Sequence, residues 1–420
     1  MTMPCPAWFP RGRALEFNMR VAKLHHCPQI FLVALLLSMF PVPVPGAGSE
    51  QHLLYVASPG TRNYVEYVED QDTDAAILHV IASPGTRNYV EYGGVGILVF
   101  DIDNGYKFVR RIPTWTVPEG KQPENVKGIV ASAKSGRVYV SSLTRMIAID
   151  AVTGKKIWDT AYEGGCDRMA ISPDGTILYV PQLEGPAWHV VNAATGDLIA
   201  TIETKSGSHN TIYSADGAHA YLAGLKSPIL SVADTRTHKV ASTVGPFDNV
   251  IRPFTVNGSN TLVFVNINGL LGFEVGDLRS GKKLYRVEVE GYKQGPVKRH
   301  GCPSHGIALT PDEKELWVAD CANDAVHVFD STVMPPKQVA SIKARDCVGW
   351  VSFSMDGRFA YSSTGEIIDV ATRKIVAALE DETGRQVQSE KLLDLVIANG
   401  KVVRAGNQFG VGMKQTGASQ

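Results

Sequence analysis

The stretch Ala170–Gln182, AISPDGTILYVPQ, decides how the chain is read. An apolar pair ends at S-P-D-G, and a second β-rich run, Ile177–Val180, follows at once. Asp-Gly supplies the positive-φ positions that a tight hairpin needs, so the phrase reads as strand, turn, strand. Five further phrases share the pattern: IVASAKSGRVYVSS from Ile129, IYSADGAHAYLAG from Ile212, FTVNGSNTLVFVN from Phe254, ALTPDEKELWVAD from Ala308 and SFSMDGRFAYSST from Ser352. Each leads into a third strand with Asp or Asn near its end, as in MIAIDAVTGK, HVVNAATGD and LSVADTRTHK. A fourth strand closes each unit, for example KIWDT, LIATIE and KVASTV.

The turn glycines Gly136, Gly175, Gly217 and Gly258 are spaced 39, 42 and 41 apart, and the intervals to Glu313 and Gly357 are 55 and 44. Four strands in such a period is the size of a propeller blade. The long interval holds EVEGYKQGPVKRHGCPSHG, read as a loop inserted over one face. Six blades thus lie between about 126 and 380. HLLYVAS, GVGILVFDID and KFVRRIP match second, third and fourth strands, and LLDLVIANG at Leu392–Gly400 matches a first strand. The two chain ends therefore make one composite blade that closes the ring and leaves no long free edge. The expectation is an all-β, seven-bladed β-propeller over 49–412, followed by a disordered tail at 413–420.

The second-strand phrases LLYVAS, RVYVSS, ILYVPQ, AYLAGL, ELWVAD and AYSSTG, several preceded by SPDG or TPDE, resemble the YVTN-type β-propeller family. No copy reads YVTN literally; the likeness lies in pattern and period, and it covers nearly all of the mature chain. It implies an exported propeller and says almost nothing about activity.

ASPGTRNYVEY occurs twice, at Ala57–Tyr67 and Ala82–Tyr92, in identical letters 25 residues apart. That offset is not the blade period, so the pair reads as a local duplication rather than a functional motif. The second copy runs into GGVGILVFDID and is expected to hold the native register, with the first copy an insertion. The alternative pairs Leu53–Ala57 in the sheet and loops out 68–92.

Arg20, Lys23, His25 and His26 precede the apolar run Ile30–Phe40, and small residues follow near Ala47 and Gly48. The run is too short to span a bilayer, which needs about 20 residues. Residues 1–48 read as a secretory signal peptide, with Met19 a second candidate start and 1–18 an upstream extension. A periplasmic or extracellular protein without a transmembrane span in the mature chain is expected. Past the signal stand Cys166, Cys302, Cys321 and Cys347, which allow three disulfide pairings in an oxidising compartment. Lys+Arg 41 against Asp+Glu 42 lacks the basic excess of a nucleic-acid binder.

Ligand sites of propellers gather where fourth-to-first and second-to-third loops meet the central channel. Seven residues before the turn acids Asp174, Asp216, Asp312 and Asp356 stand Asp167, His209, His305 and Gly349. Their neighbours are Arg168, Asn210 and Trp350, with Arg252 and Lys127 at nearly the same place in other blades. Arg87 and Tyr89 come from a second-to-third loop. Such a ring of cations and donors suits a small polar or anionic molecule or a partner protein, Arg offering bidentate carboxylate recognition. The plainer reading is that each histidine bonds a loop carbonyl and lines a wet channel. The leading expectation is a monomeric exported binding or scaffold protein with no resident cofactor. One alternative is a lyase or lactonase-like hydrolase with a divalent metal at His209, His305 and Asp167. Another is a propeller subunit of a quinoprotein or electron-transfer system, although no haem-binding CxxCH occurs. GxSxG, HExxH and Walker-type motifs are also missing from the sequence.

Overall fold

The computed structural model describes residues 50–63, 89–119, 124–295, 303–345 and 347–414. The expected signal peptide, Arg87 and Cys302 therefore lie outside the described residues. Seven antiparallel sheets form a seven-bladed β-propeller. Blades 1 to 6 occupy 128–161, 170–203, 208–244, 251–288, 304–343 and 351–378, each of four strands in chain order from the inside outwards. The seventh, composite blade runs outwards from Leu392–Ala398 through Gln51–Asn63 and Tyr89–Asp101 to Lys107–Ile112. His52 pairs with Val396 and Ala57 with Ile97, so an early and a late segment of the chain share one sheet.

Alternation along the second strands explains the ring. In blade 1, Val138 and Val140 face the composite blade, whereas Tyr139 faces blade 2. In blade 2, Leu178 and Val180 face back and Tyr179 faces forward. Successive strand residues point to opposite faces, so each blade buries both faces against its neighbours. One apolar cluster results at every blade junction.

The repeated turn has one chemistry. Ser172, Ser214, Thr310 and Ser354 donate their hydroxyls to Asp174, Asp216, Asp312 and Asp356 at 2.5–2.8 Å. The same hydroxyls accept the backbone N–H groups of Ile177, His219, Glu315 and Phe359, which start the second strands. The side chains thus satisfy turn N–H groups that the sheet ladder cannot reach.

Three features depart from expectation. Leu53–Ala57 is paired in the sheet, as the second-strand reading of HLLYVAS expects, but the described parts of the duplicated segments pair with each other, Arg62 opposite Val90 and Asn63 opposite Tyr89. Residues 57–63 of the first copy are thus continuous with the second strand of the composite blade, and are not an insertion ahead of it. Identical sequence leaves register weakly specified, and the hairpin resolves it by pairing copy with copy. Second, a fifth strand, Lys401–Ala405, pairs on the channel side of Leu392–Ala398. Third, the chain beyond it is bonded into the channel. Gln408 accepts from Ile129 N at 3.0 Å and donates to Met169 O at 3.0 Å. Leu309 N donates to Gly410 O, Gly412 N to Val256 O and Met413 N to Pro311 O. Met413 and Lys414, the first residues of the expected disordered tail, are held in this way, Lys414 N donating to Glu313 at 2.9 Å. Gly410 is a glycine because a Cβ there would stand 2.4 Å from that of Ala308.

Candidate functional site

The inner strands run from the loop face towards the S-x-D-G turns, so the residues seven before each turn acid surround one mouth of the channel. Asp167 and His209 meet there. His209 Nδ1 donates to Asp167 Oδ2 at 2.6 Å, and Arg168 N donates to Asp167 Oδ1 at 3.0 Å. Lys127 Nζ stands 4.0 Å from the same carboxylate. Burial alone would raise the Asp167 carboxyl, but His209, Lys127 and Arg168 outweigh it and hold it below its ordinary value. Burial pushes the His209 imidazole below its ordinary value, against the pull of Asp167. The pair is therefore a neutral imidazole donating to a carboxylate, which leaves Nε2 as an acceptor. Asp167 is fully covered, whereas His209 is 13% and Lys127 20% exposed.

Beneath them lies a packed floor. Arg168 donates from Nη2 to Glu390 Oε2 at 2.5 Å, and Lys391 Nζ reaches the same oxygen at 3.1 Å. The Arg168 guanidinium lies 3.6 Å from the centre of the Trp350 ring. Trp350 donates its Nε1–H to Gln408 O at 2.8 Å and packs edge-on to Phe409. Side chains of blades 2 and 6, the composite blade and the C-terminal segment thus meet across the channel. Lys391 is pushed down to about 7 by burial, with Glu390 opposing and Arg168 and Lys127 adding to the fall. Gly306 permits the close approach of Trp350, whose Cα would stand 2.6 Å from a Cβ at that position.

His305 shares the register of His209 but not its chemistry. Its Nδ1 donates to Gly349 O at 2.9 Å, and the ring meets Trp350 edge-on, 4.0 Å from Glu390. This is the loop-carbonyl role of the plainer reading. Asn210 is fully buried, bridged to Arg168 through the backbone, and both of its amide atoms lack a protein partner. Arg252 donates to Asn268 at 2.5 Å within its own blade. Tyr89 stands in the outer part of the composite hairpin, opposite Asn63. Among the described residues no group of three or more His, Cys, Asp or Glu side chains is placed to hold a metal.

Register counting missed Glu390, Lys391 and Gln408. The first two directly precede the inner strand LLDLVIA, as Trp350 directly precedes the inner strand of blade 6. Nothing in the sequence marks Gln408, whose partner Ile129 is 279 positions away. On the loop face Cys321 and Cys347 form a disulfide, and Cys166 is a buried free thiol.

No family model and no curated protein matches the chain. Among solved structures a match is titled Kuenenia stuttgartiensis hydrazine synthase; it is 16% identical and covers 62% of this chain and 98% of that chain, with a TM-score of 0.41. Nothing about activity carries over at that level of likeness.

Proposed function

We propose that this propeller, of the exported YVTN type, binds a small anionic or polar molecule at the channel mouth, against Lys127 and His209. One observation carries the reading. Arg168, Glu390, Lys391 and Trp350 engage one another as a buried cluster, while Lys127 and His209 keep part of their surface in solvent. A cation and an imidazole acceptor beside a buried polar cluster favour a small ligand with a carboxylate or a similar group and a neighbouring donor. The Cys321–Cys347 disulfide and the N-terminal apolar run both support export.

The test is a thermal-shift panel of acetate, malonate, phosphate and neutral polyols on purified protein. Stabilisation by one class of anion, lost in Lys127→Ala, is the expected result. Equal responses in both proteins would refute the site. The Asp167–His209 pair favours a second, catalytic reading, because a carboxylate-oriented neutral imidazole is a competent general base. Turnover of a bound ligand, lost in His209→Gln while binding persists, would select it.

A further inference from the structure

A second constellation lies away from the channel mouth, in blade 5. Asp320 ends the second strand, His327 stands on the third and Ser341 on the fourth. His327 and Ser341 are directly opposed in the sheet, so their side chains share a face. Ser341 Oγ lies 2.8 Å from His327 Nδ1, and His327 Nε2 lies 3.1 Å from Asp320 Oδ2. Asp320 is itself fixed: its Oδ1 accepts from Ala322 N and Asn323 N, and its Oδ2 accepts from Asn323 Nδ2 at 2.6 Å.

A carboxylate can only accept, so Asp320 selects the tautomer with the proton on Nε2. That leaves the Nδ1 lone pair facing the Ser341 hydroxyl. His327 and Asp320 are fully buried, whereas Ser341 is partly exposed. Beside the hydroxyl, Gln338 Nε2 stands 3.3 Å from Oγ, and the amide is held by Glu290 through both its oxygen and its nitrogen. Tyr292, 40% exposed, sets its ring edge-on to His327 at 4.6 Å.

We infer that Ser341, His327 and Asp320 form a serine-nucleophile site for small carboxylic esters. It is independent of the channel-mouth ligand. Ser341 Oγ bonds to the acyl carbon as its proton passes to Nδ1 of His327, and the alcohol leaves with that proton. Water then adds to the acyl carbon, giving its proton to Nδ1. The acid departs as Ser341 Oγ recovers the proton, so ester and water become acid and alcohol. Gln338 Nε2, 3.3 Å from Ser341 Oγ, is the side chain we assign as donor to the developing oxyanion. Asp320 acts as a positioning residue through the imidazole.

The experiment treats the purified full chain with a fluorophosphonate probe and maps the adduct by peptide mass spectrometry. The probe's phosphorus takes the place of the acyl carbon and fluoride leaves. The expected result is one adduct on Ser341, absent in Ser341→Ala and slowed at least ~100-fold in His327→Gln. Hydrolysis of p-nitrophenyl acetate should fall in parallel. Should His327→Gln fail to fold, Asp320→Asn keeps the imidazole in place and is expected to slow labelling ~10-fold or more. No adduct on wild-type Ser341, or labelling unchanged in whichever of these variants folds, overturns the inference.

Discussion

Blades 1 to 6 and the region that closes the ring are built in different ways. In the regular blades each turn is stabilised by its own residues, as Ser214 and Asp216 are two positions apart. In the closing region the decisive contacts join distant segments. Gln408 bridges the inner strands of blades 1 and 2, and Ser389 donates to Ala57 O across 332 positions. Local chemistry repeats and can be read from sequence; closure happens once, through side chains with no repeat to betray them. Two histidines show the same divide on a smaller scale: one register gives His209 a carboxylate from the preceding blade and His305 a backbone carbonyl from the following one.

The comparison breaks first if the closing segment proves dispensable. Deleting 407–420 removes the Gln408 bridges, the buried Phe409 ring and the backbone bonds of Gly410 and Gly412. A loss of ~5 kcal/mol or more is expected from one buried aromatic and several hydrogen bonds, measured by urea unfolding. A change under ~1 kcal/mol would mean that the ring closes without the segment.

Arg168→Met tests the floor. It removes the 2.5 Å charged partner of buried Glu390, and the cost should be ~3 kcal/mol in the same assay. An unchanged midpoint would show that Glu390 is satisfied without Arg168.

Asp394 gives the closing region its own pH dependence. It lies on the inner strand of the composite blade, accepts from Met355 N and has a buried Oδ1 without a partner. Burial raises it from 3.8 to about 6, so the folded protein holds this proton more tightly than the unfolded chain. Its contribution is therefore fully present below pH ~4 and is lost as pH rises through the folded value. The slope amounts to ~3 kcal/mol between pH ~4 and ~6, and Asp394→Asn should flatten it. Denaturation curves at pH 4, 5 and 6 for both proteins decide the point.

The smallest effect belongs to the regular blades. Ser172→Ala, Ser214→Ala and Ser354→Ala should each cost ~1 kcal/mol, because each hydroxyl bridges a turn in the same way. Unequal costs would show that the turns are not interchangeable and would weaken the contrast.

These contrasts explain what was legible in the sequence. Strand alternation and the S-x-D-G turn are local signals, and they carried the seven blades and the composite closure. Register from the turn acids placed Asp167 and His209 together, since propeller symmetry turns sequence offset into height along the channel. It could not tell which partner each histidine meets, because that depends on the neighbouring blade. Gln408 was invisible, whereas the fifth strand carried a signal that went unread: Asn399-Gly400, both at positive φ, close a two-residue hairpin onto Lys401–Ala405. The duplicated ASPGTRNYVEY misled for a related reason, since identical copies can pair with each other, an option absent from either single-copy reading.

The central claim is that the channel mouth takes an anionic ligand between Lys127 and His209. The most direct measurement follows the NMR resonance of the His209 imidazole Cε1–H while acetate, malonate or phosphate is titrated into wild type and Lys127→Ala, with His209→Gln for assignment. The account predicts a saturable shift in wild type that is abolished in Lys127→Ala. No saturable shift with any of the three, or the same shift in both proteins, would contradict it.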